Sequence, residues 1–184
     1  MRILYAALLS LFLALPAGAG TLAGVTLPDK AEVKGQSLVL NGMGLRKKFV
    51  VKVYVGGLYL AQKEKNAAKV LGTDAPRRMV LHFIYDVSKD QMCEAWNEGL
   101  EQNTPNASAD VKKAFTTLCG WMDGVGKGNK LVMTYLSGEG TTVEVNGKTK
   151  GTLPGKAVSD AILATWIGSD PAPGEDFKKA VLGG

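Results

Sequence analysis

Residues 40–60, LNGMGLRKKFVVKVYVGGLYL, constrain the fold more than any other part of the chain. β-Branched and aromatic residues fill the second half of this run. There Lys48, Val50, Lys52 and Tyr54 alternate with Phe49, Val51, Val53 and Val55, which predicts a strand over 48–60. Ahead of it Gly42 and Gly44 flank Met43 and read as tight turns, while Gly56-Gly57 marks a bulge or a close backbone approach. Arg46 thus stands as a fixed cation beside an apolar wall. It is either a surface arginine or one turned inward, where its guanidinium can clamp a carboxylate or phenolate. Tyr54 shares its parity on an uninterrupted strand.

The first 19 residues read as a secretory leader: Arg2, an apolar stretch over 3–15, and the small-residue cleavage site Ala17-Gly18-Ala19. A stretch of thirteen residues, apolar but for Ser10, falls short of the ~20 that cross a bilayer as a helix, so cleavage rather than anchoring is expected. The residue directly after the site is Gly20 and not a cysteine, which argues against a lipoprotein. The expected product is a periplasmic or secreted chain of residues 20–184, a length that suits one domain. Without Arg2 it carries 21 basic and 17 acidic side chains, scattered rather than blocked. That balance gives solubility and a mild bias toward anionic ligands or lipid surfaces.

Further strands are expected at 25–27, 31–33, 37–40, 78–85, 131–136, 141–145 and 148–153, with Asn146-Gly147 as a type I′ hairpin turn. A short helix is expected over 66–71. A longer one opens at Ser88, whose capping box with Gln91 and staple from Val87 to Met92 precede Trp96 and Leu100. Val111, Phe115, Leu118 and Met122 mark a second helix, and the two should lie as an antiparallel pair on the sheet. Val158, Ile162 and Trp166 predict an amphipathic helix ended by Gly168, with a short helix over 176–181 to follow. The class is α+β, with helices on one face of an antiparallel sheet.

Few chemistries fit these residues. His82 is the single histidine and no G-x-S-x-G elbow is present, so His82 reads as a structural strand residue. Metal-ligand spacings are absent, and neither a metal nor a cofactor is expected. Arg46-Lys47-Lys48 is too short for a nucleic-acid stripe, so no nucleic-acid partner is expected. Asn106-Ala107-Ser108 fits a glycosylation triplet that is frequent by chance. Tyr54, Tyr59 and Tyr85 sit on expected strands, where a phenol buries its ring and still reaches a polar partner. Cys93 and Cys119 are either joined in an oxidising compartment or free, Cys93 falling on the apolar side of its helix.

NGMGLR with KFVVKVYVGGLYL, KAVSDAILATWIG over 156–168 and SDPAPGEDFKKAVLG after it resemble the chalcone isomerase family, specifically its bacterial exported, chalcone isomerase-like group. The resemblance implies an open-faced β-sandwich, a long antiparallel sheet covered by a helical layer with a ligand cleft between. It also implies that Arg46 matches the arginine that attracts the substrate phenolate in plant enzymes of the family, and Thr165 a final threonine or serine. Tyr54 stands where those enzymes have a catalytic threonine. Phe83 falls at their tyrosine position, with Tyr85 two residues on, and Lys89, Asp90 or Gln91 where they carry an asparagine. Losing an oxyanion-stabilising hydroxyl costs a few kcal/mol of transition-state stabilisation, which argues against plant-type turnover.

Noncatalytic relatives bind fatty acids through an arginine and a tyrosine. The resemblance therefore implies a noncatalytic binding protein for a fatty acid or similar amphipathic acid, with Arg46, Tyr54, Tyr85 and Thr165 as the site. An intramolecular lyase or isomerase using the same four residues is the alternative. A structural or partner-binding envelope protein is the second.

Overall fold

The computed structural model describes residues 19–184. The leader expected over 1–19 lies outside the described residues except for Ala19, as does its cleavage site up to that residue. In chain order the strands are β1 (Ala19–Leu22), β2 (Val25–Pro28), β3 (Lys30–Val33), β4 (Gln36–Lys48), β5 (Val51–Leu60), β6 (Arg77–Phe83), β7 (Lys130–Leu136), β8 (Gly140–Val145) and β9 (Lys148–Leu153). The helices are α1 (Ala67–Gly72), α2 (Lys89–Asn103), α3 (Ala109–Gly120), α4 (Lys156–Ile167) and α5 (Glu175–Val181).

β3 to β9 form one seven-stranded antiparallel sheet in chain order, and β1 and β2 pair as a separate hairpin. The helices cover one face, where Leu58, Leu81, Phe115, Leu131 and Ile167 join the main core. On the other face Val25 and Leu27 of the small hairpin pack with Val55, leaving most of that side uncovered by helices. The architecture is the α+β open-faced sandwich expected.

The strand expected over 48–60 is instead two strands. β4 runs to Lys48, Phe49 and Val50 form a two-residue turn, and β5 begins at Val51, with Lys48 opposite Val51. The turn carries none of the Gly, Asn or Asp residues that announce one, so the alternation read straight through it. Gly42 and Gly44 are not turns either; both lie inside β4 with extended backbone. A Cβ on Gly42 would sit 2.1 Å from the Ala180 carbonyl oxygen and one on Gly44 2.8 Å from the Phe177 ring. These glycines form the groove that seats α5.

Gly56-Gly57 is the close approach, not the bulge: added Cβ atoms would meet Phe177 at 2.5 Å and Leu27 at 2.4 Å, one on each face. The bulges fall at Asn41 and Val53, where the β4–β5 register shifts. Asn41 is buried, and its amide donates to the Val181 and Glu64 carbonyls while its oxygen accepts from the Glu64 N–H. It ties the sheet to both α5 and the segment before α1.

α2 opens with the expected capping box between Ser88 and Gln91, and Asn146 and Gly147 take φ of 52° and 74° as a type I′ turn requires. α4 departs from the amphipathic expectation. Every residue from Ala161 to Ile167 is buried, because α2 and α3 pack on the side that would otherwise face solvent. The pair α2–α3 therefore reaches the core largely by way of α4 rather than lying directly on the sheet. α3 stops at Gly120, and Met122 is buried from the following loop. His82 sits half-buried in β6, while Cys93 and Cys119 are free thiols brought together from α2 and α3.

Candidate functional site

Arg46 and Tyr54 face each other across the β4–β5 hairpin. The pairing depends on the bulge. Counting back from the turn, Lys48 opposes Val51 and Lys47 opposes Lys52, so Arg46 would meet Val53 if the ladder were regular. Val53 is the extra residue, and its insertion puts Tyr54 opposite Arg46 and turns both toward the helical layer.

Tyr54 packs edge-on against Phe83 of β6 (ring centroids 5.4 Å apart) and Phe177 of α5 (5.8 Å). Its hydroxyl accepts a 3.0 Å hydrogen bond from the Trp166 indole N–H. Burial pushes the phenol pKa up to about 12, against the opposing pull of the Trp166 hydrogen bond and the Arg46 charge. Tyr54 is therefore a neutral O–H donor at ordinary pH and not a phenolate base.

Arg46 donates to the Ala172 carbonyl at 2.5 Å. Ala172 is held in turn by its N–H, which donates to the Thr165 carbonyl at 2.9 Å, so the α4–α5 connection positions the guanidinium. Among the described residues no carboxylate pairs with Arg46. An arginine has five N–H donors and keeps its charge at any relevant pH. One donor is satisfied by Ala172, and the others remain for an anion.

A cavity of about 100 Å³ adjoins this pair, lined by Arg46 and Tyr54 together with Leu81, Phe83, Met92, Trp96 and Trp166. Thr165 lines it too, but its hydroxyl donates to the Ile162 carbonyl of its own helix at 2.8 Å. Its proton is thus turned away from the cavity, and its side chain packs where Gly99 of α2 leaves room. Three of the four expected residues are brought together. Tyr85 is the correction: β6 ends at Phe83, and Tyr85 lies beyond it, 54 % exposed and outside the cavity wall. Phe83 occupies the place against Tyr54. Lys89 and Asp90 also lie outside the lining, whereas Gln91 is part of it.

Trp166 and Ala172 carry roles that sequence reading did not assign. A buried indole N–H needs a partner, which is a signal for Trp166 once its helix is known to be buried. Nothing in the sequence marks the Ala172 carbonyl. A larger cavity of about 280 Å³ lies at the opposite end of β6, around Val70, Thr73 and Arg77. Its buried cation is already held, since Arg77 donates to Asp160, Ser159 and the Val70 carbonyl. An incoming acid would have to displace those partners.

Among the described residues no group of three or more His, Cys, Asp or Glu could hold a metal ion, and no helix is long and apolar enough to cross a membrane. A comparison with curated proteins finds no match. Among solved structures the fold is similar to that of a fatty-acid binding protein from Arabidopsis thaliana. The TM-score is 0.71 at 15% identity, over 90% of this chain and 96% of that one. The profile described as chalcone isomerase-like matches residues 19–183. With nearly every described residue inside that match, the chain belongs to the chalcone isomerase-like family.

Proposed function

We propose that this chain is an exported, noncatalytic binding protein for a small amphipathic acid of the fatty-acid type. One observation carries the reading. Arg46, without a carboxylate partner among the described residues, and the neutral Tyr54 hydroxyl stand together at one wall of a largely apolar cavity. A carboxylate there gains a charge-assisted bond from the guanidinium and a second from the phenol, while Leu81, Met92 and Trp96 receive its tail. The fold shared with a fatty-acid binding protein supports the ligand class. Export rests on the sequence of the leader.

The cavity volume sets the length of ligand. About 100 Å³ is well below the ~300 Å³ at the lower end of small-molecule sites, so the closed form suits a short acid. A longer acyl chain enters by displacing side chains, of which the flexible Met92 moves most cheaply.

Native mass spectrometry with straight-chain acids of graded length tests the proposal. Retained adducts are expected, weakened about 10- to 100-fold in Arg46→Ala as a charged hydrogen bond is lost. Absence of any adduct on the wild-type protein, or equal binding by Arg46→Ala, overturns it.

A further inference from the structure

Among the described residues, four two-residue hairpin turns connect neighbouring strands, and one differs from the rest. Ala23-Gly24, Lys34-Gly35 and Asn146-Gly147 each place a glycine second with φ positive at both residues. The β4–β5 turn uses Phe49-Val50 and has no glycine, yet Phe49 still takes φ 55°. That conformation is unfavourable for a bulky side chain and is ordinarily left to Gly, Asn or Asp. Both side chains are 93% exposed.

The flanking pair breaks a second rule. Lys47 and Lys52 are cross-strand partners, so like charges stand directly opposite each other, and Lys48 adds a third exposed cation at the turn. Tyr85, the other large hydrophobic exposed among the described residues, lies at the same end. The Ile84 N–H bonds the Val53 carbonyl and carries the β5–β6 ladder one step toward the tip before Tyr85. Asp86, beside it, accepts from the Lys127 backbone N–H.

We propose that this tip docks the protein on an anionic lipid surface: Phe49 and Val50 enter the acyl–headgroup boundary, and Lys47, Lys48 and Lys52 engage lipid phosphates. A convex tip of two apolar residues above three lysines matches the depth order of a bilayer, apolar inside and anionic outside. Strain and like-charge repulsion that serve no folding purpose are the local inconsistencies expected at a functional site. Docking stands independently of the acid-binding reading. It would hold the Arg46–Tyr54 cavity, a few residues from the tip, at the surface where amphipathic acids partition.

The test uses the purified full chain with phosphatidylglycerol and with phosphatidylcholine vesicles, reading sedimentation and local hydrogen exchange over residues 46–54. Protection of the tip on phosphatidylglycerol alone, lost at high salt, is expected. Phe49→Gly/Val50→Asn installs a favourable turn, so its melting temperature should equal or exceed the wild-type value while tip protection disappears. Lys47→Glu/Lys48→Glu, which gives Lys52 an opposite charge, should also abolish protection. Tip amides unprotected on phosphatidylglycerol, equal protection on both lipids, or variants indistinguishable from wild type would each overturn the proposal. So would a tip protected only by a protein partner.

Discussion

Trp166 of α4 donates its indole N–H to the Tyr54 hydroxyl of β5 at 3.0 Å, and this bond joins the buried helix to the sheet at the wall of the cavity. Because the phenol oxygen is the acceptor, its own proton remains available. Among the described residues it engages no acceptor.

Tyr54→Phe and Trp166→Phe should therefore separate stability from binding. Tyr54→Phe keeps the ring contacts with Phe83 and Phe177 but leaves a buried indole donor unpaired, a loss of about 1–3 kcal/mol in urea unfolding. It also removes the donor offered to a carboxylate, so acid binding should weaken. Trp166→Phe should destabilise through lost packing while leaving that donor in place, with a smaller effect on affinity per unit of stability lost. Equal losses of affinity in both variants would show that Tyr54 contributes only position.

Gly56→Ala should cost about 1–3 kcal/mol, since the new methyl would meet the Phe177 ring at 2.5 Å in a packed core. Phe177→Leu in the same chain should recover part of that loss. A double-mutant cycle by denaturant unfolding measures the coupling, and additive losses would mean that α5 shifts freely instead of locking into the glycine groove.

That groove shows where the sequence was legible and where it was not. Element type was readable where side-chain period and caps agree, as at Ser88–Gln91 and Asn146-Gly147. Glycine was misread at Gly42 and Gly44, because a residue without a Cβ serves a turn and a close helix approach equally well and only the tertiary partner decides. Parity put Arg46 and Tyr54 on a common side only if no bulge intervened, and the chain has both a turn and a bulge between them. Together these put the two residues opposite each other on two strands. Thr165 was placed in the cavity but not the direction of its proton. Tyr85 was lost because the strand ends two residues before it.

Acid should destabilise the protein in a window set by His82. Its Nδ1 is buried without a hydrogen-bond partner among the described residues, and burial first, then the charge of its cross-strand neighbour Lys130, lowers its pKa from 6.5. The unfolded chain then takes up the proton before the folded one. The stability linked to this group is fully present above pH 6.5, declines as pH falls toward the lower folded value, and is constant below it. Melting temperatures between about pH 8 and pH 5 should show the decline in wild type and a flatter profile in His82→Gln. Identical profiles would remove His82 as the cause. Glu64 and Asp74, both held below their ordinary values chiefly by side-chain hydrogen bonds from Lys69 and Tyr135, add losses only at lower pH.

Oxidation of Cys93 and Cys119 should staple α2 to α3. The two thiols are neighbours, and burial, reinforced by the proximity of Cys93, pushes Cys119 up to about 12. A thiol so seldom ionised is a poor nucleophile, so air oxidation near neutral pH should be slow and alkylation of Cys119 slower than that of a free cysteine in solution. A disulfide-exchange catalyst with oxidised glutathione supplies the oxidant and should form the bond. Closing the loop between the two positions removes unfolded-state freedom worth about 3–4 kcal/mol, less any strain introduced in bringing the helices together. The oxidised protein should therefore unfold at higher urea concentration and lose the difference on reduction. Cys93→Ala should show neither change. An oxidised form no more stable than the reduced one would mean that the α2–α3 contact must distort to accept the bond.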